Sequence, residues 1–491
     1  MDGTKPRNRP LVLASVMLAM FLAAIEATIV STAMPSIVAD LGNFRLYSWV
    51  FSAYLLTNAA TVLLFGRLAD VLGRKPIFLI GISLFLIGAI LSALAPTMSV
   101  LIVARLIQGL GAGALMPMAT TIVGDIYSKE ERAKIQGYLS SVWGISAVTG
   151  PLLGGFFVDV LSWPYVFWMN IPLGLLAFIG IMVFFKEEVE SKKRSIDVVG
   201  SVWIILAISS LLIILVEGGG RLPWLSIEVS LLISLSTISF VAFVFHERKI
   251  EEPMLPLHLW SIRSIRFANL TSFTTGMILI GVSSYLPAFV QGVMERSATV
   301  AGFTLTTMSI GWPVASTLAG RLLLRIGYRR TSIMGGVSLI IGAIIFSFLS
   351  PNHGPLFAAS GSLFIGIGMG LTSTSFIVSI QNAVDWKSRG IATASNMFMR
   401  TIGSALGAAL LGGLLNSRLE TVIQQSELSG TFDVNATNRL LREEDRESLG
   451  ERAAEVLQEG LSSGLHMVYI GLLVLASVSF LFILQLPKKE D

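Results

Sequence analysis

The sequence predicts an all-α membrane protein that crosses the bilayer fourteen times. Of its 491 residues, 53% are hydrophobic and only 13% are charged, whereas a soluble domain has about 25% charged residues. Apolar runs of about 20 residues, the length that a helix needs to span the hydrocarbon core, recur along the chain. Together with an internal repeat, these runs predict two pseudo-symmetric six-helix bundles with two additional transmembrane helices between them.

The apolar runs define the predicted organisation. Residues 1-190 are expected to form the N-terminal six-helix bundle, 191-262 a two-helix insertion, and 263-491 the C-terminal six-helix bundle. Residues 416-465 carry ten acids and five arginines and are predicted to form an extracellular loop. Its apolar spacing favours a solvated or surface-lying helix, and a lid over the outer mouth is the alternative. The predicted spans are 11-33, 48-68, 77-95, 98-122, 135-158, 164-185, 197-216, 226-245, 267-290, 300-323, 332-350, 355-378, 391-414 and 466-486.

Positive charge in the loops predicts the orientation. The loops on one side and the two termini hold 25 lysines and arginines, whereas the short loops opposite hold only Arg45, Arg221 and Arg296. Because cytoplasmic loops are enriched in Lys and Arg, both termini are predicted to be cytoplasmic, in a multi-pass protein of the cell (inner, cytoplasmic) membrane. The same placement argues against nucleic acid as a partner. The chain has no cysteine, which excludes disulfides and cysteine metal sites.

A glycine motif occurs twice. The letters GRL, with a further glycine five residues later, occupy residues 66-73 and recur 254 residues further on at 320-327. Each copy follows a predicted span at a cytoplasmic turn. Two related halves are the plan of many carriers, in which the substrate site lies between the halves near the membrane midplane.

Glu26 is the only charged residue in the apolar run 11-30. A carboxylate in hydrocarbon is costly unless it is paired, hydrated or protonated, so an acid at this depth indicates a functional site. Burial raises the pKa of a carboxyl group and a neighbouring cation lowers it. A group held between these two influences can bind and release protons near neutral pH, as a proton-coupled carrier requires.

Arg105 is likewise a charged residue within the apolar run of the fourth predicted span. With a rise of about 1.5 Å per residue, Glu26 and Arg105 are expected at depths that agree to within a few Å, in a core about 30 Å thick. Gln108 lies one turn from Arg105 on the same helix face. Intramembrane charges usually mark transport paths, and the alternative is a static ion pair that stabilises helix packing.

The predicted loop after the second span reads GRLADVLGRK. Its glycines permit a tight turn and close backbone approach, Asp70 can cap the next helix or pair with a base, and Arg74 can reach a carboxylate or a helix end. The string resembles the cytoplasmic signature loop of the major facilitator superfamily, with Gly66, Asp70, Gly73 and Arg74 in register. The resemblance implies the major facilitator fold and a loop that latches one conformation. The alternative is a generic basic loop.

The fifth span contains Gly150-Pro151 followed by Gly154-Gly155. Proline kinks a helix and small residues let a neighbouring helix pack closely. The string is similar to the motif of drug-proton antiporters in the same superfamily, which points to antiport rather than symport. Ordinary small-residue packing is the alternative.

The first span resembles that of the fourteen-span drug-proton antiporters of the superfamily (the EmrB/QacA type, DHA2). The matching residues are Ile25-Glu26-Ala-Thr28 and the later Met34-Pro35, although the family usually has aspartate where this chain has Glu26. Residues 163-174 resemble the sixth span of the same group. The resemblance implies that Glu26 and Arg105 take part in proton coupling.

Polar and aromatic residues of the spans are candidates for binding the substrate. Aromatic walls bind flat cationic drugs through cation–π contacts, which favours the two tryptophans. The arginine either hydrogen-bonds across the cavity or snorkels towards the surface, and the asparagine of the second span either contacts substrate or links helices. The candidates are Asn58, Gln108, Trp143, Trp312, Asn396 and Arg400.

These observations predict a proton-coupled multidrug efflux antiporter that exports hydrophobic or cationic compounds by alternating access. Its expected partners are drugs, protons and the lipid bilayer, and the expected working unit is a monomer. No cofactor is expected besides the proton as coupling ion, since no phosphate-binding GxxxxGK[ST] loop occurs. An enzyme is not expected, because no nucleophile-base or metal constellation lies in the spans. The alternative is a same-fold exporter of one specific metabolite, antibiotic, peptide or siderophore.

Overall fold

The structure, a computed structural model, is built from helices. Within the part of the chain that it describes, thirteen helices are long and apolar enough to cross a membrane. A further helix, Ala298–Ile326, has 29 residues, and its threonines and serines lower its hydropathy. The predicted all-α architecture is confirmed. The described residues are 8–127, 129–187, 197–218, 222–250, 257–385, 389–426, 432–441 and 449–487.

The long helices follow the order of the predicted spans. They are α1 (Arg9–Leu41), α2 (Tyr47–Leu72), α3 (Arg74–Ala93), α4 (Met98–Ile126), α5 (Lys129–Phe156), α6 (Asn170–Phe184), α7 (Val198–Glu217), α8 (Ile227–Glu247), α9 (Arg263–Gly292), α10 (Ala298–Ile326), α11 (Tyr328–Ser347), α12 (Pro355–Asn382), α13 (Arg389–Gln425) and α14 (Glu451–Leu484). Thr97, Ser226 and Ser297 each accept a backbone hydrogen bond at the first turn of α4, α8 and α10, as N-cap residues do.

The repeated glycine motif forms much less loop than the sequence suggested. Helix α2 continues to Leu72 and α3 begins at Arg74, so Gly73 alone joins them. Gly73 has a φ of 96° and its counterpart Gly327 a φ of 80°, a backbone conformation that favours glycine. The prediction of a loop from residue 66 was therefore wrong, because the residues between the two glycines are helical.

The helices form two halves and an external pair. Helices α1–α6 pack together, as do α9–α14, while α7 and α8 pack against each other and α7 lies on α2 and α13. The approach of α7 is close, since a Cβ atom placed on Gly413 of α13 would overlap the carbonyl of Leu215. Helix α7 therefore covers a seam at which α2 of one half meets α13 of the other.

The halves meet at one end of the bundle, which we call the outer end because the charge pattern predicts that it faces outwards. It carries Gly42 and the start of α10, and the opposite, inner end carries Gly73. At the outer end, Tyr47 Oη donates to the Ser284 carbonyl over 2.6 Å and Gln291 Nε2 to the Thr32 carbonyl over 3.0 Å. At the inner end, a Cβ atom on Gly66 or on Gly320 would meet no atom of the described residues within 4 Å.

Within its described residues, the polar segment 416-465 is more helical than a surface loop. Helix α13 extends into it as far as Gln425 and α14 starts at Glu451, well before the predicted span. A short 3-10 helix, Val434–Leu441, packs on the outer end of α1. Arg45 of the other half forms an ion pair of 3.3 Å with Glu420. The described part of the segment thus packs on the outer end of the bundle, and whether it acts as a lid stays a prediction.

Candidate functional site

The centre of the N-terminal half holds a buried ion pair. Glu26 of α1 and Arg105 of α4 are 0% and 1% exposed, and Arg105 Nη1 donates a hydrogen bond to Glu26 Oε1. The same nitrogen lies 2.5 Å from Gln108 Oε1. The other oxygen of the carboxylate, Oε2, accepts a hydrogen bond of 2.9 Å from Asn170 Nδ2 at the start of α6. Three helices therefore converge on one carboxylate.

Two aromatic rings enclose the guanidinium group. Arg105 Cζ lies 4.2 Å from the centre of the Tyr54 ring and 5.9 Å from that of Phe167, distances at which a cation is attracted to an aromatic face. Asn58 lies beside the Tyr54 hydroxyl, one turn further along α2. Arg105 Nε and Asn170 Oδ1 are buried without a hydrogen-bond partner among the described residues.

This arrangement can couple a proton to a change of helix contacts. While Glu26 is ionised, it balances the charge of Arg105 and ties α1 to α4 and α6. A proton on Glu26 would remove that balance and leave a buried guanidinium without its counter-charge, which is strongly unfavourable. Loss of the counter-charge would favour a new contact between the Arg105 guanidinium group and another acceptor. The unpaired Nε shows that this group can still donate a further hydrogen bond.

Sequence reasoning found three members of this cluster and missed two. Asn170 is the one amide in the apolar run 165-184, and an intramembrane polar residue of that kind is a usable signal. Tyr54 gives no such signal, because tyrosine is common in membrane helices and its role here depends on where α2 packs.

The motif at residues 66-75, at the inner end, includes the start of α3, which is held within the N-terminal half by polar contacts. Glu187 Oε1 and Oε2 accept hydrogen bonds of 2.6 and 2.8 Å from the backbone N–H groups of Arg74 and Lys75. The Arg74 side chain lies 3.2 Å from Asp125 and 3.8 Å from Glu187. Asp70 is helical, and its side chain is outside the described part of the structure. Glu187, which sequence reasoning did not single out, therefore caps α3, a role that had been considered for Asp70.

The glycines of the fifth span hold α5 against both halves. A Cβ atom on Gly150 would overlap Thr28, and one on Gly154 would lie 2.7 Å from the Ile29 carbonyl, both on α1. A Cβ atom on Gly155 would lie 2.6 Å from Thr299 Cα of α10. Pro151 also faces α10, where Gly302 packs against its carbonyl. The motif is thus a contact surface between the halves as well as within one of them.

Asp159 adds a polar contact where the end of α5 meets the start of α10. It lies in the π-helical turn Phe157–Leu161 that follows α5. Its carboxylate accepts hydrogen bonds of 3.2 and 2.9 Å from the backbone N–H groups of Ala298 and Thr299, and one of 2.5 Å from the Thr299 hydroxyl. An acid of one half therefore caps the first helix turn of α10 in the other, where the helix dipole favours negative charge.

The C-terminal half has a neutral buried network. Asn396 Nδ2 of α13 donates hydrogen bonds of 3.0 Å to Asn269 Oδ1 and 2.8 Å to Ser272 Oγ, both on α9. Asn396 is 7% exposed. This placement makes Asn396 a link between two helices of one half rather than a free group lining a cavity.

Arg400 and Trp312 form the second charged feature. Arg400 Cζ lies 5.8 Å from the centre of the Trp312 ring, which is in the middle of α10. Both side chains are partly buried. Of the predicted substrate-binding residues, these two contact each other and Gln108 contacts Arg105. Trp143 is 42% exposed, and neither it nor Asn58 joins the Arg400 pair.

Comparison with known proteins places the chain among transporters. Residues 16–408 match the family described as Major Facilitator Superfamily. The chain is 32% identical to the multidrug transporter protein MdtP of Bacillus subtilis (strain 168), over 98% of this chain and 94% of that protein. It is also 32% identical to multidrug resistance protein 3 of the same organism, over 98% of this chain and 97% of that protein.

Solved structures share the fold at low sequence identity. A bacterial homologue of the human lysosomal transporter Spinster, in an inward-facing and unoccupied conformation, superposes with a TM-score of 0.69 at 17% identity, covering 99% of this chain and 98% of that chain. A D-xylose-proton symporter gives a TM-score of 0.61 at 13% identity, covering 93% of this chain and 96% of that chain. At these identities the likeness concerns the architecture alone.

Proposed function

The chain belongs to the Major Facilitator Superfamily, and we propose that it is an efflux transporter that exports hydrophobic drugs in exchange for protons. The names of relatives that match almost the whole chain support drugs as the cargo. The single observation that carries proton coupling is the buried cluster of Glu26, Arg105, Gln108 and Asn170, since a carboxylate at this depth is expensive without a function.

The proposed cycle starts from the conformation seen here. Contacts between the halves at the outer end, together with free space around Gly66 and Gly320 at the inner end, support an inward-facing state. In this state Glu26 is held as an ion by Arg105 and Asn170. Opening of the outer end would require loss of the contacts of Asp159 and Gly155 with α10. We place the termini in the cytoplasm, the protein in the cytoplasmic membrane, and the transport unit in a monomer.

Proton uptake from outside would neutralise Glu26 and release its hold on Arg105. Return to the inward-facing state then delivers the proton to the cytoplasm, where Glu26 ionises again and the ion pair re-forms. The membrane potential adds about 2.3 kcal/mol per charge per 100 mV to whatever net charge moves. The ion pair is in this scheme a moving part of transport, and not a fixed element of helix packing.

The test compares Glu26→Gln with Glu228→Gln in inside-out vesicles. Glu228 lies at the exposed start of α8, outside both halves, and is a matched loss of one carboxylate. An imposed pH gradient should drive drug uptake by the wild type and by Glu228→Gln, and should fail to drive it through Glu26→Gln. Drug movement down its own gradient should persist in Glu26→Gln. Unchanged pH-driven uptake in Glu26→Gln would remove this residue from the mechanism.

A further inference from the structure

We propose that the substrate is a planar aromatic compound with an acidic group, and that Arg400 and Trp312 bind these two parts. The inference rests on the proposed efflux function and deepens it by naming the charge of the cargo. It replaces the cationic preference that the sequence suggested, because the intramembrane charges of the described structure leave a positive group without a partner.

The charge of Arg400 is unbalanced. Within the described residues no carboxylate lies within 4 Å of its guanidinium group and no group accepts a hydrogen bond from it. None of its nitrogens is fully buried without a partner, so each of them keeps some accessible surface. Arg105 is the contrast, since Glu26 and Gln108 both contact its guanidinium group.

The location fits a binding site between the halves. Trp312 and Arg400 belong to α10 and α13, the two helices of the C-terminal half that pack on α5 and α2 of the other. Pro313, next to Trp312, lies 3.9 Å from a Cβ atom placed on Gly144 of α5. Carriers of this plan bind substrates between their halves near the midplane. Arg400 contacts the middle of α10, so its guanidinium group does not extend to the membrane surface.

The chemistry selects an anion. The planar guanidinium group presents paired N–H donors that match a carboxylate, sulfonate or phenolate oxygen. A cationic substrate would place a second positive charge beside an unpaired first one, which is unfavourable where water is scarce. Arg400 Cζ lies over the Trp312 ring, 5.8 Å from its centre, and aromatic rings pack favourably against the face or edge of a tryptophan. An aromatic acid satisfies both groups at once.

The experiment uses three fluorescent probes that share one ring system. Dansylglycine carries a carboxylate, dansylglycinamide is neutral, and dansylcholine carries a quaternary ammonium group. Each is titrated against the purified full-length protein in detergent. We expect the acid to bind at least about tenfold more tightly than the amide, in line with hydrogen bonds to charged groups, and the ammonium compound to bind most weakly.

Variants then assign the preference to its residues. Arg400→Gln should abolish the advantage of the acid while changing the affinity for the amide by less than about threefold, and Arg400→Lys should retain part of the advantage because it keeps the charge. Trp312→Leu should weaken all three probes alike. Arg418→Gln, an exposed change on the same helix, is the control and should change nothing.

Two outcomes overturn the inference. One is tightest binding of the ammonium probe by the wild type, and the other is an acid preference that survives in Arg400→Gln. A different result would overturn the transport proposal. If the acid binds through Arg400 but a pH gradient never drives its movement, proton-coupled export is wrong and the substrate assignment stands. If a cation is exported in a Glu26-dependent manner and substitution of Arg400 has no effect, the substrate assignment is wrong and proton-coupled export stands.

Discussion

The two halves share an architecture but not a charge pattern. In the N-terminal half, Glu26 and Arg105 neutralise each other inside a closed cluster. At the offset of 254 residues that relates the glycine motifs, the C-terminal half has Ile280 and Ala359 in their places. Its deeply placed charge is Arg400, which lies against a tryptophan and has no carboxylate partner among the described residues. The contrast supports the proposal that one half binds the proton and the other half binds the substrate.

The largest expected effect comes from breaking the closed pair. Arg105→Gln leaves Glu26 buried without its counter-charge and should lower the free energy of unfolding by on the order of 3 kcal/mol, measured by thermal or denaturant unfolding in detergent. Arg400→Gln, which removes a charge that has no partner, should change it by less than about 1 kcal/mol. The double change Glu26→Gln with Arg105→Gln should recover much of the loss. Equal destabilisation by Arg105→Gln and Arg400→Gln would show that the two charges are not held differently.

A pair of glycine substitutions tests the contact between the halves. Gly155→Ala pushes a methyl group into the backbone of α10, 2.6 Å from Thr299 Cα, so the outer ends should separate and the outward-facing population should rise. The methyl group of Gly66→Ala meets no described atom within 4 Å in this state, so this change should leave the inward-facing state undisturbed. Because the chain has no cysteine, spin labels can be placed at chosen cysteines on α5 and α10 without background.

The distances between the spin labels test the predicted effects of the two glycine substitutions. Gly155→Ala should lengthen the distance across the outer end and shorten the one across the inner end, whereas Gly66→Ala should not shift either towards the outward-facing state. If Gly66→Ala instead depopulates the outward-facing state, Gly66 approaches another helix closely there, as the sequence motif suggested. A shift of equal size and direction in both variants would contradict the interface described here.

A smaller shift between the two states is expected when the polar contact of Asp159 with α10, beside Gly155, is removed. Asp159→Ala removes the cap that one half places on α10 of the other, and helix caps contribute about 1 kcal/mol. The ratio of inward-facing to outward-facing molecules should therefore fall by a factor of about five, with the same label distances as the readout. Thr299→Val, which removes only the side-chain hydroxyl from this contact, should give a smaller shift. No change in Asp159→Ala would mean that the cap does not hold the outer end closed.

Sequence predicted most of the fold and the centre of the site. Charge asymmetry and apolar runs gave the order of the helices, and a depth estimate from helix rise brought Glu26 and Arg105 to one level, where the structure has them in contact. Asn170 was within reach of the same reasoning. Tyr54 and Asp159 were not, because their contacts depend on how helices far apart in the chain pack.

Local misreadings have local causes. The motif GRLADVLGRK was read as a loop from its glycines and charges, yet leucine, alanine and arginine are good helix formers, and Gly73 alone makes the turn. Hydropathy predicts a loop at 416-465 because it measures burial in lipid, whereas the spacing of the apolar residues there predicts helical structure. Helices α13 and α14 extend beyond the apolar stretch and pack at the outer end. The cationic cargo that the aromatic residues predict is a different case: it stays a prediction, and the proposed role of Arg400 opposes it.

The central claim is that Glu26 changes its protonation as substrate binds and leaves. Purified protein in weakly buffered detergent, with a pH indicator in solution, tests it directly when a saturating exported drug is added. At a pH low enough for part of the population to carry a proton on Glu26, the account predicts that drug binding releases protons from the wild type and from Glu228→Gln, and none from Glu26→Gln at equal substrate occupancy. Proton release of unchanged size from Glu26→Gln would contradict it.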